Sequence, residues 1–280
     1  MAKVALVTLH GMGVTYPNYA DDLLAKLASR MKSAFNEVKV QSVYYQGILQ
    51  DNEEEVWRRV EEKGKVRYDE LRRFLLFGFG DAAGLENRKE FDNSVYELAQ
   101  MQVADALLKV HAAGANLPVV FISQSLGCQV LSNYIYDAQK FARGEPVGAG
   151  IWKANNPFIL GLTTGQRNFL KGDTAMAWVS TGCNIPIFVA AHKRMDIIPI
   201  AKPTTHFKWL NLYDPDDALG WPLQPLSDQY EVLVEDRAIN AGQGVIGTFI
   251  KSWNPLAHTA YWTDDDVVKP LASMLSNLTG

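Results

Sequence analysis

Apolar and polar positions along the chain fall into two kinds of run. Short, nearly unbroken apolar stretches, such as Lys3 to Leu9 and Val119 to Ile122, have the length and β-branched content of buried strands. Longer stretches carry apolar residues at three- and four-residue spacing. Between Tyr19 and Ala34 these are Leu23, Leu24, Leu27 and Met31, the stripe of an amphipathic helix. The same reasoning predicts strands over Val38 to Tyr45, Ala175 to Ser180, Phe207 to Leu212 and Tyr230 to Val234. It predicts helices over Asn52 to Phe77, interrupted by Glu61-Glu62-Lys63-Gly64-Lys65, and over Phe91 to Ala113, Leu126 to Phe141 and Asp264 to Leu278. No repeat, low-complexity tract or linker breaks the alternation.

Strands alternating with helices predict an α/β fold, with a mostly parallel central sheet covered by helices on both faces. A chain of 280 residues fits a single domain over 1–280, with a helical insertion or lid around 50–95. In such sheets ligands bind beyond the carboxyl ends of the strands. Composition narrows the function. A net charge of −4 gives no basic excess for nucleic acid, and no apolar run approaches the length of a membrane span. The first residues run straight into a strand-like stretch rather than a secretory leader, so the expected location is cytoplasmic. The two cysteines, Cys128 and Cys183, fit a reducing compartment and have no metal-ligand spacing.

The candidate chemistry begins where the strand Val119 to Ile122 meets Ser123-Gln124-Ser125-Leu126-Gly127. A strand, a turn of small residues around a serine and then a helix form the pattern of a nucleophile elbow, with serine replacing the usual first glycine. Ser125 is the predicted nucleophile. Ser123 and Gly127 are the small residues that let the turn close, and the Leu126 N–H is one oxyanion donor. The alternative is a plain helix N-cap serine. After the first strand, His10-Gly11-Met12-Gly13 is a glycine-rich turn suited to aim a second backbone N–H, that of Met12, at the same oxyanion.

A serine nucleophile needs a base and an acid. Of His10, His111, His192, His206 and His258, the last follows the final predicted strand and sits among aromatic residues. The order Ser, Asp, His along the chain selects it as the base. The acid is expected after the strand before the last, in Tyr213-Asp214-Pro215-Asp216-Asp217. Asp217 is the first choice, Asp214 the fallback and Asp216 the weakest. Three acids in four residues also suit calcium, but without an EF-hand pattern.

With these residues in order, the chain resembles the α/β-hydrolase superfamily, in its lipase- and esterase-like branch. The strings Tyr213-Asp214-Pro215-Asp216-Asp217-Ala218 and Ala257-His258-Thr259-Ala260-Tyr261 are similar to the Tyr-x-Pro-x-Asp-Pro and Ser-His-x-x-Tyr strings of DDHD-domain phospholipases. Ala218 and Ala257 depart from that pattern. Ser180 to Pro186 resembles a lipase turn, with Cys183-Asn184 departing from it. The resemblance implies hydrolysis of a small-molecule or lipid ester through an acyl-enzyme, with no cofactor. A thioesterase, an acyltransferase and a silent fold that binds a lipid or a protein share the same pattern. On the substrate side, Phe74 to Asp81 reads as a pocket wall, a lid hinged at Gly78 and Gly80, or a core turn, with Phe77 and Phe79 as pocket residues. His192 and Trp253 are further pocket candidates. The run Asp51 to Lys65 reads as a solvated helix face.

Overall fold

The computed structural model describes residues 1–48, 50–64, 66–191, 197–241 and 261–280. Its centre is a sheet of six strands: β1 (Val4–Leu9), β2 (Val38–Val43), β3 (Val119–Gln124), β4 (Ala175–Thr181), β5 (Lys208–Tyr213) and β6 (Val234–Ala238). They lie in the order β2-β1-β3-β4-β5-β6, and every pairing is parallel. The predicted mostly parallel sheet is thus wholly parallel among the described residues.

Parallel strands joined by crossover helices bury both faces, and the side chains divide accordingly. Ala5, Val7, Leu9, Val119 and Phe121 face one core, which also holds Val103 and Leu107 of α4 (Val95–Ala113) and Leu131 and Ile135 of α5 (Leu126–Ala142). Val4, Leu6, Val120 and Ile122 face the other, with Leu23 and Leu27 of α1 (Asp21–Met31) and Leu271 and Leu275 of the closing helix Asp265–Thr279. A stacked pair, Trp178 of β4 and Trp209 of β5, with ring centroids 3.9 Å apart, fills the first core beside β3.

Three expectations are corrected. The stretch Tyr230 to Val234 is not a strand. It belongs to helix α9 (Asp228–Leu233), whose N-cap Ser227 Oγ accepts the Tyr230 N–H; the strand begins at Val234. The stretch Asn52 to Phe77 divides at its expected interruption into α2 (Gln50–Lys63) and α3 (Asp69–Glu86), but α3 runs on well past Phe77. Consequently Phe74 to Asp81, expected as a pocket wall, a hinged lid or a core turn, lies inside α3. The run Asp51 to Lys65 is solvated where Arg58 and Arg59 pair with Glu55 and Glu62, but Glu53 within it is buried.

The numbering continues with α6 (Pro157–Leu160), α7 (Thr164–Leu170) and α8 (Ile185–Ala190). Helices on both faces of a parallel sheet, with a strand-serine-helix turn at the carboxyl end of β3, make an α/β-hydrolase fold. Among the described residues no helix is long and apolar enough to cross a membrane.

Candidate active site

Ser125 stands between β3 and α5 with φ 50° and ψ −120°. A side chain with a Cβ rarely adopts this conformation, at a cost of about 1–3 kcal/mol. Hydrogen bonds on both sides hold it. Its N–H donates to Thr181 O at 3.0 Å, and its carbonyl accepts the Cys128 N–H at 2.9 Å. The side chain makes no cap bond to α5, which removes the N-cap alternative. Its Oγ is buried and has no hydrogen-bond partner among the described residues.

The small neighbours are required for different reasons. Ser123 Oγ accepts the Trp178 indole N–H at 2.7 Å and donates to Cys128 Sγ at 3.1 Å, so its hydroxyl is committed to the core. A Cβ on Gly127 would lie 2.4 Å from His10 O and 2.8 Å from Leu9 O. Only glycine lets α5 pass this close to the end of β1. A Cβ on Gly11 would come within 3.1 Å of Ser125 Cβ, so the glycine-rich turn lies directly against the elbow.

His10 is enclosed. Its ring stacks on Tyr45 at 4.0 Å and meets Tyr19 edge-on at 5.0 Å. Its Nε2 accepts the Tyr45 N–H at 3.2 Å and its Nδ1 lies 2.8 Å from Gly11 O, which places the proton on Nδ1. Burial lowers its pKa to about 4. A neutral imidazole with both nitrogens engaged shapes the loop and is not the base. One step along, the Gly13 N–H donates to the buried Asp81 Oδ2 at 2.8 Å. Nothing at sequence level linked Asp81 to the turn.

The aspartates separate by what their oxygens accept. Asp214 Oδ1 takes the Asp216 N–H and Oδ2 the Ala241 N–H, both at 2.8 Å, so Asp214 ties the chain after β6 to the chain after β5. Asp216 is exposed. Asp217 is buried; Oδ1 accepts the Leu219 N–H and Oδ2 accepts the Tyr261 hydroxyl, each at 2.9 Å. The Tyr261 oxygen in turn accepts the Asp214 N–H at 2.9 Å. Burial, and then the Asp217 charge, push the Tyr261 phenol well above its usual pKa, so it stays a donor. Tyr261 was visible only as the last residue of Ala257-His258-Thr259-Ala260-Tyr261. Among the described residues, no group of three or more His, Cys, Asp or Glu is arranged to hold a metal ion.

Ser125 opens on a cavity of about 420 Å³ whose lining includes His10, Met12, Tyr19, Phe74 and Trp262. Met12 and Phe74 also line an adjoining apolar groove of about 570 Å³, formed with Phe79 and Ala83 of α3 and Ile187 and Phe188 around α8. Phe77 is instead fully buried, under the Arg73 guanidinium. His111 contacts the Phe169 ring and His206 is exposed before β5; neither lines the Ser125 cavity. His258, His192 and Trp253 lie outside the described residues.

No family model matches the chain, and no curated protein does. Among solved structures it is similar to an acetyl xylan esterase at 10% identity and TM-score 0.44, covering 99% of each chain. The catalytic core domain of an acetyl xylan esterase from Trichoderma reesei gives 11% identity and TM-score 0.42 over 98% of this chain and 97% of that one. A cutinase-like protein from Cryptococcus sp. gives 10% and 0.41, over 99% and 95%. Likeness at this distance leaves the activity to be argued from the residues of this chain.

Proposed function

We propose that the protein is a serine hydrolase that cleaves carboxylic esters. Ser125 carries the reading: a strained, buried serine whose hydroxyl has no partner among the described residues, at the carboxyl end of a parallel strand and opening on a cavity. In this mechanism the Ser125 Oγ attacks the ester carbonyl. His258 takes its proton and returns it to the departing alcohol, and Asp217 orients His258 and stabilises its imidazolium. The N–H groups of Leu126 and Met12 receive the tetrahedral oxyanion. Water, activated by the same histidine, then releases the acid from the acyl-enzyme.

Two features support His258 and Asp217 as partners. Tyr261, three residues after His258, bonds Asp217, and the next residue, Trp262, lines the Ser125 cavity. Three residues of chain span at most about 11 Å. This short chain connection to both Asp217 and the Ser125 cavity supports His258 as the base. The groove beside the cavity suits an aliphatic acyl chain, since burying each CH₂ is worth about 0.8 kcal/mol.

The test is labelling with a fluorophosphonate, wild type beside Ser125→Ala, read by intact mass. One adduct on the wild type and none on the variant is expected, with turnover of p-nitrophenyl esters lost in parallel. A folded wild type that takes no label sinks the reading in favour of a silent binding fold.

A further inference from the structure

The α2–α3 pair, within the insertion or lid expected around 50–95, contacts the glycine-rich turn. Asp81 of α3 accepts the Gly13 N–H at 2.8 Å, and one helical turn earlier a Cβ on Gly78 would lie 2.7 Å from Met12 Sδ. Positions three apart share a helix face, so α3 holds the turn at two adjacent residues. The second oxygen of Asp81 accepts the Gln46 amide N–H at 2.9 Å, from the segment after β2. Asp81 itself is fully buried.

Behind Asp81 stands Glu53 of α2. Its carboxyl is buried and meets the Asp81 carboxyl, and among the described residues neither of its oxygens receives an N–H or hydroxyl donor. A Cβ on Gly80 would come 2.5 Å from Glu53 Oε1, so the glycine leaves room for this approach. Two carboxylates are acceptors only and repel when buried together. One proton between them turns the contact into a hydrogen bond. Asp81 already accepts two donors, which favours its charged form, so the proton belongs on Glu53.

We propose that Asp81, backed by a protonated Glu53, is the positioning residue that holds the oxyanion turn Gly11 to Gly13 against Ser125. The inference rests on the esterase reading for its catalytic consequence, but not for the grip itself. Burial and the Asp81 charge raise the Glu53 pKa to about 8, and burial raises that of Asp81 to about 6. Two other titratable groups border the pair, each with a titratable partner of its own. Glu54 on α2 is paired with Arg73 of α3 at 2.8 Å. Tyr45 beyond β2 is raised by burial and by Asp81, and its hydroxyl donates to His10 O. His10 stacks on Tyr45 and is neutral. Neither Tyr45 nor His10 changes charge between pH 7 and 9. Loss of the Glu53 proton sets two negative carboxyls against each other and loosens the grip on Gly13.

The test reads hydrogen exchange of the Gly13 amide in the full chain, as a protection factor against pH, beside the kcat and KM of a p-nitrophenyl ester. Expected for the wild type is a protection factor that drops by at least tenfold as pH rises through 8. Glu53→Gln, an amide that permanently donates to Asp81, should keep the neutral-pH protection and remove the drop. Asp81→Ala should lose protection at every pH and lower kcat by tenfold or more, with KM within twofold. Gly13 protection in Glu53→Gln that follows the wild-type curve overturns the proposal, whether or not Asp81→Ala folds. Equal protection in a folded Asp81→Ala overturns it as well. If no variant or wild type turns over ester while the protection pattern holds, the esterase reading fails and the grip stands.

Discussion

Two features meet at Ser125: a left-handed backbone on a residue with a Cβ, and a buried hydroxyl with no partner among the described residues. Features of this kind gather where function holds them in place. Tyr261 shows the opposite situation, a phenol satisfied twice, donating to Asp217 and accepting from the Asp214 N–H. Tyr261→Phe leaves the Asp214 N–H unpaired and removes one donor from Asp217. The expected result is a loss of about 1–2 kcal/mol of stability in urea unfolding and a roughly tenfold lower kcat, as the acid loses its orientation. A variant with lowered stability and unchanged kcat would restrict Tyr261 to a role in folding.

At the scale of elements, glycines misled the reading of α3 and charges hid β6. Gly78 and Gly80 resemble turn punctuation, yet both stand within α3, where their missing Cβ atoms admit Met12 and Glu53. Val234–Ala238 carries Glu235, Asp236 and Arg237, charges that suit its place at the edge of the sheet among the described residues. Asp236 is held from within: its Oδ1 accepts the Asn211 amide N–H at 2.8 Å, and its Oδ2 the Leu223 and Gln224 N–H groups. These partners are distant in sequence, so no local pattern marks the strand. The groove between α3 and α8 carries the substrate expectation. Ala83 is exposed on its wall, so Ala83→Trp should leave stability unchanged and shift preference from long to short p-nitrophenyl esters. An unaltered chain-length profile would place the acyl group elsewhere.

The whole molecule responds to pH through groups buried in opposite senses. His10 is held neutral, its pKa lowered by burial from 6.5 to about 4. An unfolded chain protonates it first, so its contribution is full above pH 6.5 and is lost as pH falls towards 4. A shift of this size corresponds to about 3 kcal/mol. Glu53 is raised from 4.5 to about 8. Its contribution is full below pH 4.5 and is lost progressively as pH rises through 8, because the unfolded chain releases its proton first. Thermal melts should therefore show a wild-type Tm that falls between pH 6.5 and 8. In Glu53→Gln this slope should flatten, and a fall in Tm on acidification below 6.5, offset in the wild type by the Glu53 proton, should emerge. A slope equal to that of the wild type would mean that Glu53 does not hold its proton in the folded chain.

The sequence by itself determined the alternation of strands and helices, five of the six strands in outline, and the elbow around Ser125. These are written in local periodicity and in the small residues a tight turn needs, which neighbouring positions suffice to express. It also narrowed the acid to three aspartates, and the chain order singled out His258. Only the tertiary structure decided what required distant partners. It showed that Asp214 and Asp217 differ in what their oxygens accept, that Tyr261 joins Asp217, and that His10 is a sealed structural ring. It showed that Phe77 belongs to the core while Phe79 faces the groove, and that Asp81 and Glu53 stand behind the turn at Gly13. A carboxyl reads the same in sequence whether water or another carboxyl faces it; burial and the neighbouring donor settle its charge and its work, and the packed fold supplies both.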